Sequence, residues 1–144
     1  MSGGRSARHR AREFVIQGLY QWRVAGQDEA AIQVQAESAL GFDKADGDLY
    51  ATLIAETRGH AEVLEQDVAP YIDRAWKEVS PIEACILLLG ACELRFHPET
   101  PHRVILNEAI ELAKTYGGTD GHKFVNGVLD KLAARLRPAE TRGA

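Results

Sequence analysis

The sequence predicts an all-α protein of six or seven helices around one core. Three observations carry this reading. Apolar residues recur at helical spacing along the chain, and no period-two run of β-branched residues lasts long enough to make a strand. Ser80, Pro81 and Glu83 announce a helix start, with an N-cap hydroxyl, a proline at the first helical position and a capping-box carboxylate. Over residues 82–96 that helix is apolar nearly all round (Ile86, Leu87, Leu88, Leu89, Leu94), which suits the centre of a bundle.

The first helix is expected over residues 5–24, with Val15, Leu19 and Trp22 on one stripe and Gly26 as its stop. A shorter amphipathic segment covers 29–40, followed by a loop from Gly41 to Gly47 that contains Asp43 and Asp46. Residues 48–77 read as one long or broken helical region, with Pro70 marking the break. After the Ser80 helix, Thr100-Pro101 starts another, whose stripe is Ile105, Ala109, Leu112 and Tyr116; Gly117-Gly118 stops it. Thr119 or Asp120 caps the last, with Val125, Val128, Leu129, Leu132 and Leu136 on one face until Pro138. The chain contains no internal repeat and no low-complexity segment.

Composition narrows the class. With 45% apolar and 26% charged residues among 144, the chain has the balance of one folded domain. Its basic N-terminus is followed by no apolar run, so no secretory signal is read there, and the longest apolar stretch, around 84–89, is far below the ~20 residues a membrane span needs. A cytoplasmic protein is expected. Cys85 and Cys92 lie seven residues apart on one helix. At ~1.5 Å rise per residue they are about 10 Å apart, beyond disulfide reach. They read as small buried core residues, with a redox or metal role as the alternative.

The net charge of −4 conceals an asymmetry. Residues 1–26 carry five Arg against one Glu, for +4, while 27–67 carry ten acids against two bases, for −8. Residues 68–122 stand at −3, with eight acids and five bases, and 123–144 return to +3, with five bases and two acids. Two basic ends flank an acidic middle, so a polyanion can bind if the ends meet on one face.

Catalytic patterns are not found. His9, His60, His97, His102 and His122 lack zinc-ligand spacing. Gly117 to Gly121 has neither a P-loop lysine nor a preceding strand, and reads as a helix stop followed by a start. Glu108 and Glu111 share a helix face that is more simply a solvated one, and no serine sits in a nucleophile elbow. No enzyme and no cofactor or metal is expected.

Two features point to RNA. The first is Arg5, Arg8, His9, Arg10 and Arg12. At 100° per residue, Arg5, Arg8 and Arg12 fall within about 60° of one another, while His9 and Arg10 point elsewhere. Guanidiniums at this density suit phosphate contact and base stacking; a solubilising tail is the alternative. The second is His122-Lys123-Phe124 at the start of the last helix. Phe124 sits about 100° off the centre of the core stripe, beside Lys123. It is either a stacking platform for an unpaired base or a core-edge residue.

Arg8-His-Arg-Ala-Arg-Glu13 leading to Leu19-Tyr20, then Asn107-Glu-Ala-Ile-Glu-Leu-Ala-Lys114, and above all His122-Lys-Phe-Val-Asn-Gly-Val-Leu-Asp-Lys131, closely resemble the NusB family of transcription antitermination factors. The resemblance is strong over roughly 5–22 and 80–137 and weak through the acidic middle. It implies six or seven helices in two packed helical bundles, with 1–144 as a single domain, 1–12 its arginine-rich N-terminal segment and 138–144 a tail. The implied activity is binding of single-stranded boxA RNA in nascent transcripts, notably of ribosomal RNA operons. It is exercised as a heterodimer with NusE, a small-subunit ribosomal protein, within an antitermination complex on RNA polymerase. The family's arginine-rich segment maps onto Arg8, His9, Arg10 and Arg12, where His9 interrupts what is often an unbroken arginine run. Its second RNA-contacting patch maps onto Lys123 and Phe124, with Asp120 nearby, and the resemblance places Tyr20 and Glu83 near the partner surface.

Two other classes compete. A NusB-like domain also occurs fused to ribosomal RNA cytosine methyltransferases, but a chain ending at Ala144 leaves no room for a cofactor-binding α/β domain. A purely structural helical adaptor predicts no affinity for RNA.

Overall fold

A computed structural model describes residues 6–142, and every regular element among them is helical. The first helix, α1 (Ala7–Ala25), starts one residue after Ser6, whose hydroxyl accepts from the His9 N–H at 3.0 Å. Gly26 ends it in the left-handed region, at φ 69°. Ala11, Val15, Ile16 and Leu19 are buried on its inner face.

Asp28 caps α2 (Glu29–Glu37), its carboxylate accepting from the Ala31 N–H at 2.8 Å. This helix is shorter than expected: it ends at Glu37, and Leu40 is exposed. Only Ile32 and Ala36 bury its inner face, so α2 sits lightly on the bundle. A 3-10 turn at Phe42–Lys44 follows, and Phe42 lies edge-on to both Phe14 and Tyr50. Asp46 caps α3 (Gly47–Gly59), and its own N–H donates to Ala7 at 2.9 Å, tying this loop to the start of α1.

The region expected as one helix broken at Pro70 is broken twice. α3 stops at Gly59–His60 and α4 (Ala61–Val68) begins at once; Pro70 then falls in a 3-10 turn. Glycine is a poor helix former, and His60 leaves helical geometry to pack its ring on Phe96 at 4.6 Å.

The central helix is α5 (Pro81–Phe96), buried continuously from Glu83 to Leu94. Helices α1 and α3 pack on one side of it, while α4, α6 (His102–Tyr116) and α7 (Gly121–Leu136) pack on the other. It is the wall shared by the two bundles. Gly90 lets α7 approach closely: a methyl group there would lie 2.6 Å from Leu129 Cδ1. Cys85 and Cys92 are free and buried in this wall, and burial pushes both thiols up to about 12, far from reactive thiolate behaviour.

Buried ions lock the elements together. Asp67 of α4 accepts from Arg95 of α5 at 2.6 Å and from Arg135 of α7 at 2.8 Å. Arg137 donates to the carbonyls of Glu93, Leu94, His97 and Thr100, groups left open at the end of α5 and the corner after it. The segment expected as a tail turns through a short helix, α8 (Pro138–Arg142), which contacts α7. Hydrogen bonds from the His102 N–H and ring hold the Glu140 carboxyl of α8 down to about 2.

Candidate nucleic-acid interface

The arginine-rich stretch divides by face. Arg8 is exposed, with its guanidinium 3.9 Å from the Asp46 carboxylate. Arg10 is half-buried and leans on the loop after α2, where a methyl group on Gly41 would lie 3.8 Å from its Nη1. His9 turns inward: its Nδ1 lies 2.8 Å from Glu108 of α6, and its Nε2 is 3.8 Å from Glu13. Arg5 lies outside the described residues.

Arg12 corrects the surface expectation. Its side chain is 2% exposed, and its Nε and Nη2 each donate to the Glu93 carboxylate at 2.8 Å, while Nη1 lies 3.5 Å from Glu108. The helical wheel grouped it with Arg5 and Arg8, but one turn further along the axis α1 is already docked against α5. The guanidinium therefore neutralises a buried carboxylate and offers no face to a phosphate. Ala11 and Arg12 belong to the folded interior, not to a dispensable leader.

The second patch forms where α6 turns into α7. Gly117 and Gly118 make the turn, and Asp120 enters α7 in the left-handed region at φ 62°. Lys123 is exposed, its ammonium 3.4 Å from the Asp120 carboxylate. Phe124 is half-buried, and the Arg74 guanidinium lies 4.3 Å from its ring centroid while Arg74 Nε donates to Asp73 at 2.7 Å. Arg74 is the residue that sequence reasoning missed. It sits in the mostly irregular stretch between Pro70 and Ser80, in no motif of its own, and only the tertiary fold brings it to Phe124.

Glu83 supports this turn from beneath. It is buried, and its carboxylate accepts from the Gly118 N–H at 3.0 Å instead of closing the expected capping box; Ser80 still accepts from the Glu83 N–H at 3.4 Å. Tyr20 is 40% exposed on α1. The arginine end and the α7 patch are joined through side chains: His9 pairs with Glu13, and the Tyr116 hydroxyl donates to Glu13 at 3.0 Å immediately before the Gly117-Gly118 turn.

The arrangement presents two cationic groups, Arg8 with Arg10 and Lys123 with Arg74, the second beside an aromatic ring. Such surfaces hold phosphates and stack bases. The NusB family model matches residues 9–134 of the chain. The chain belongs to the NusB family. Among its relatives, the transcription antitermination protein NusB of Dechloromonas aromatica (strain RCB) is 58% identical over 136 residues, covering 94% of this chain and 83% of the relative. That of Azoarcus sp. (strain BH72) is 52% identical over 141 residues, covering 97% and 91%. Among solved structures, NusB of T. maritima superposes with a TM-score of 0.78 at 26% identity, covering 94% of this chain and 96% of that one. The crystal structure of antitermination factors NusB and NusE in complex with dsRNA matches with a TM-score of 0.76 at 23% identity, covering 90% and 97%. In this NusB-family antitermination factor the two basic sequences lie at the α1 end and the α7 turn, and the acidic stretch between them spans α2 to α4.

Proposed function

We propose that this NusB-family protein binds single-stranded boxA RNA of nascent transcripts together with NusE, and that the pair joins an antitermination complex on RNA polymerase. The observation that carries the reading is Phe124, which follows the exposed Lys123 in the chain and has the Arg74 guanidinium over its ring at a surface turn. A base stacks on such a platform while its phosphates meet the cations. Arg8 and Arg10, and Arg5 ahead of them, extend the phosphate track; His9 and Arg12 act by fixing α1 on α5 and α6. Asp120 modulates the track by competing for Lys123. Tyr20 lies on the partner side. The similar structure that holds NusB, NusE and RNA together supports the pairing. The work is cytoplasmic, alongside RNA polymerase; no helix among the described residues is long and apolar enough to cross a membrane.

The test is fluorescence anisotropy with a boxA single strand, the same strand in a duplex and a scrambled strand, each with and without NusE. The boxA single strand binds tightest, and NusE tightens it. By linkage, RNA tightens the NusE pair by the same factor. Equal affinity for boxA and scrambled strands, or independent binding of RNA and NusE, overturns the reading.

A further inference from the structure

Arg74 is surrounded by acid before any RNA arrives. It lies in a bend between two 3-10 turns, Ala69–Tyr71 and Trp76–Glu78. Its Nε donates to the neighbouring Asp73 at 2.7 Å, and the Glu78 carboxylate accepts from the Ala75 N–H at 3.1 Å, which fixes the backbone on the other side. The carboxylates of Asp73, Glu83 and Glu78 all act on this one guanidinium. Three acids around one cation leave its surroundings negative, and a phosphate that approaches Arg74 meets them as well. A neutral base meets no such repulsion.

The same guanidinium occupies the outer side of Phe124. The ring is half-buried and packs on the core, while exposed Arg74 lies over it, 4.3 Å from the centroid. A base coming from solvent therefore reaches the guanidinium before it reaches the ring. That group is planar, weakly hydrated and able to stack on both faces, so it can lie on Phe124 and still offer a second face to a base. Among the described residues its two terminal nitrogens have no hydrogen-bond partner, which leaves N–H groups at its edge for a base carbonyl.

We propose that Arg74 is a base-stacking residue: one unpaired base of the RNA lies on the outer face of its guanidinium, with the Phe124 ring beneath and Asp73 holding the plane. This role rests on the RNA reading above and refines it. Lys123 is then the phosphate-facing cation of the patch, Arg74 leaves the phosphate track, and Phe124 supports the stack from below.

The test measures boxA affinity over a salt series, with NusE present, for wild type, Arg74→Lys, Arg74→Ala, Phe124→Ala and the double variant of Arg74→Ala with Phe124→Ala. Urea unfolding is followed for each. Arg74→Lys keeps the charge and loses the plane, so it weakens binding about fivefold or more, nearly as far as Arg74→Ala. Neither changes the salt slope, because no phosphate contact is lost, and both fold as stably as wild type because Arg74 is exposed. The double variant loses little more than Phe124→Ala alone, since the two side chains form one stack. Wild-type affinity in Arg74→Lys, with a slope flattened by about 0.7 in Arg74→Ala, makes Arg74 a phosphate ligand and overturns the inference. Tighter binding by Arg74→Ala makes the side chain a lid over Phe124 and overturns it too. A wild-type protein that does not bind boxA overturns the function proposed above and this role with it. A wild type that binds, with Arg74 variants that match it, overturns this role alone.

Discussion

The Arg12 guanidinium meets the Glu93 carboxylate through two hydrogen bonds of 2.8 Å, with both side chains buried between α1 and α5. Such a pair gains little over an apolar replacement, but losing one partner strands a charge in the interior. Arg12→Ala is therefore expected to lower folding free energy by about 3–5 kcal/mol, while Arg12→Met with Glu93→Leu lies much closer to wild type. Urea unfolding of the two variants checks this; equal losses would mean that the geometry, not the unpaired charge, sets the cost.

Salt dependence separates the surface arginines from the buried one. Each phosphate contact on a single strand adds about −0.7 to the slope of log K against log salt. Replacing Arg8 and Arg10 by alanine flattens that slope by up to about 1.4 units with little effect on unfolding. Removing residues 1–12 destabilises the fold as well, because Ala11 and Arg12 go with them. A slope unchanged by the double replacement would remove both residues from the phosphate track.

Phe124 distinguishes stacking from core packing. The ring is half-buried, and Arg74 covers part of it. Phe124→Ala is expected to cost about 1–3 kcal/mol of RNA affinity, roughly 5- to 150-fold. Its folding cost stays below the about 3–5 kcal/mol of a fully buried phenylalanine. Unfolding and RNA titration on the same variant decide; a full core penalty with normal affinity in the folded fraction places the ring in the core.

His97 gives stability a dependence on pH. Its Nε2 faces Glu56 of α3 and its Nδ1 faces Glu99, so the charged ring donates on both sides. Burial lowers its pKa, but the two carboxylates together outweigh burial and leave it raised above 6.5. A raised folded value means the contribution is fully present below 6.5 and is lost as pH rises through the folded value. Chemical denaturation between about pH 5 and 9 should show stability falling on the alkaline side, and His97→Gln should flatten that fall. A profile identical in the variant would exclude His97 as the source.

Local signals in the sequence translated well because their physics is local. Ser80-Pro81 opens α5, Gly26 closes α1, and Gly117-Gly118 separates α6 from α7. The all-round apolar helix does become the shared wall. What escaped depends on partners distant in the chain. A helical wheel places Arg12 by angle but not by depth, and Glu93 lies 81 residues away. Arg74 reaches Phe124 across 50 positions, and Arg137 finds the end of α5 through the packing of α7. Glu83 looked like a local cap because its spacing from Ser80 fits one, yet the Gly118 N–H, 35 residues on, competes successfully for the carboxylate. The extra break at Gly59–His60 was masked by apolar spacing that continues in phase into α4.

The span from Arg12 to Glu93 also sets an order of assembly. Helices α5, α6 and α7 are joined by short turns and come together through nearby contacts, whereas Arg12 and Glu93 meet across about eighty residues that hold α2, α3 and α4. Closure of the Arg12–Glu93 contact is thus expected after the local packing of α1 on α2 and α3, and a contact that forms late is expected to act on how fast the native state opens more than on how fast it forms. On that order the surface that carries Arg8 and Arg10 takes its final shape only once α1 is clasped to α5.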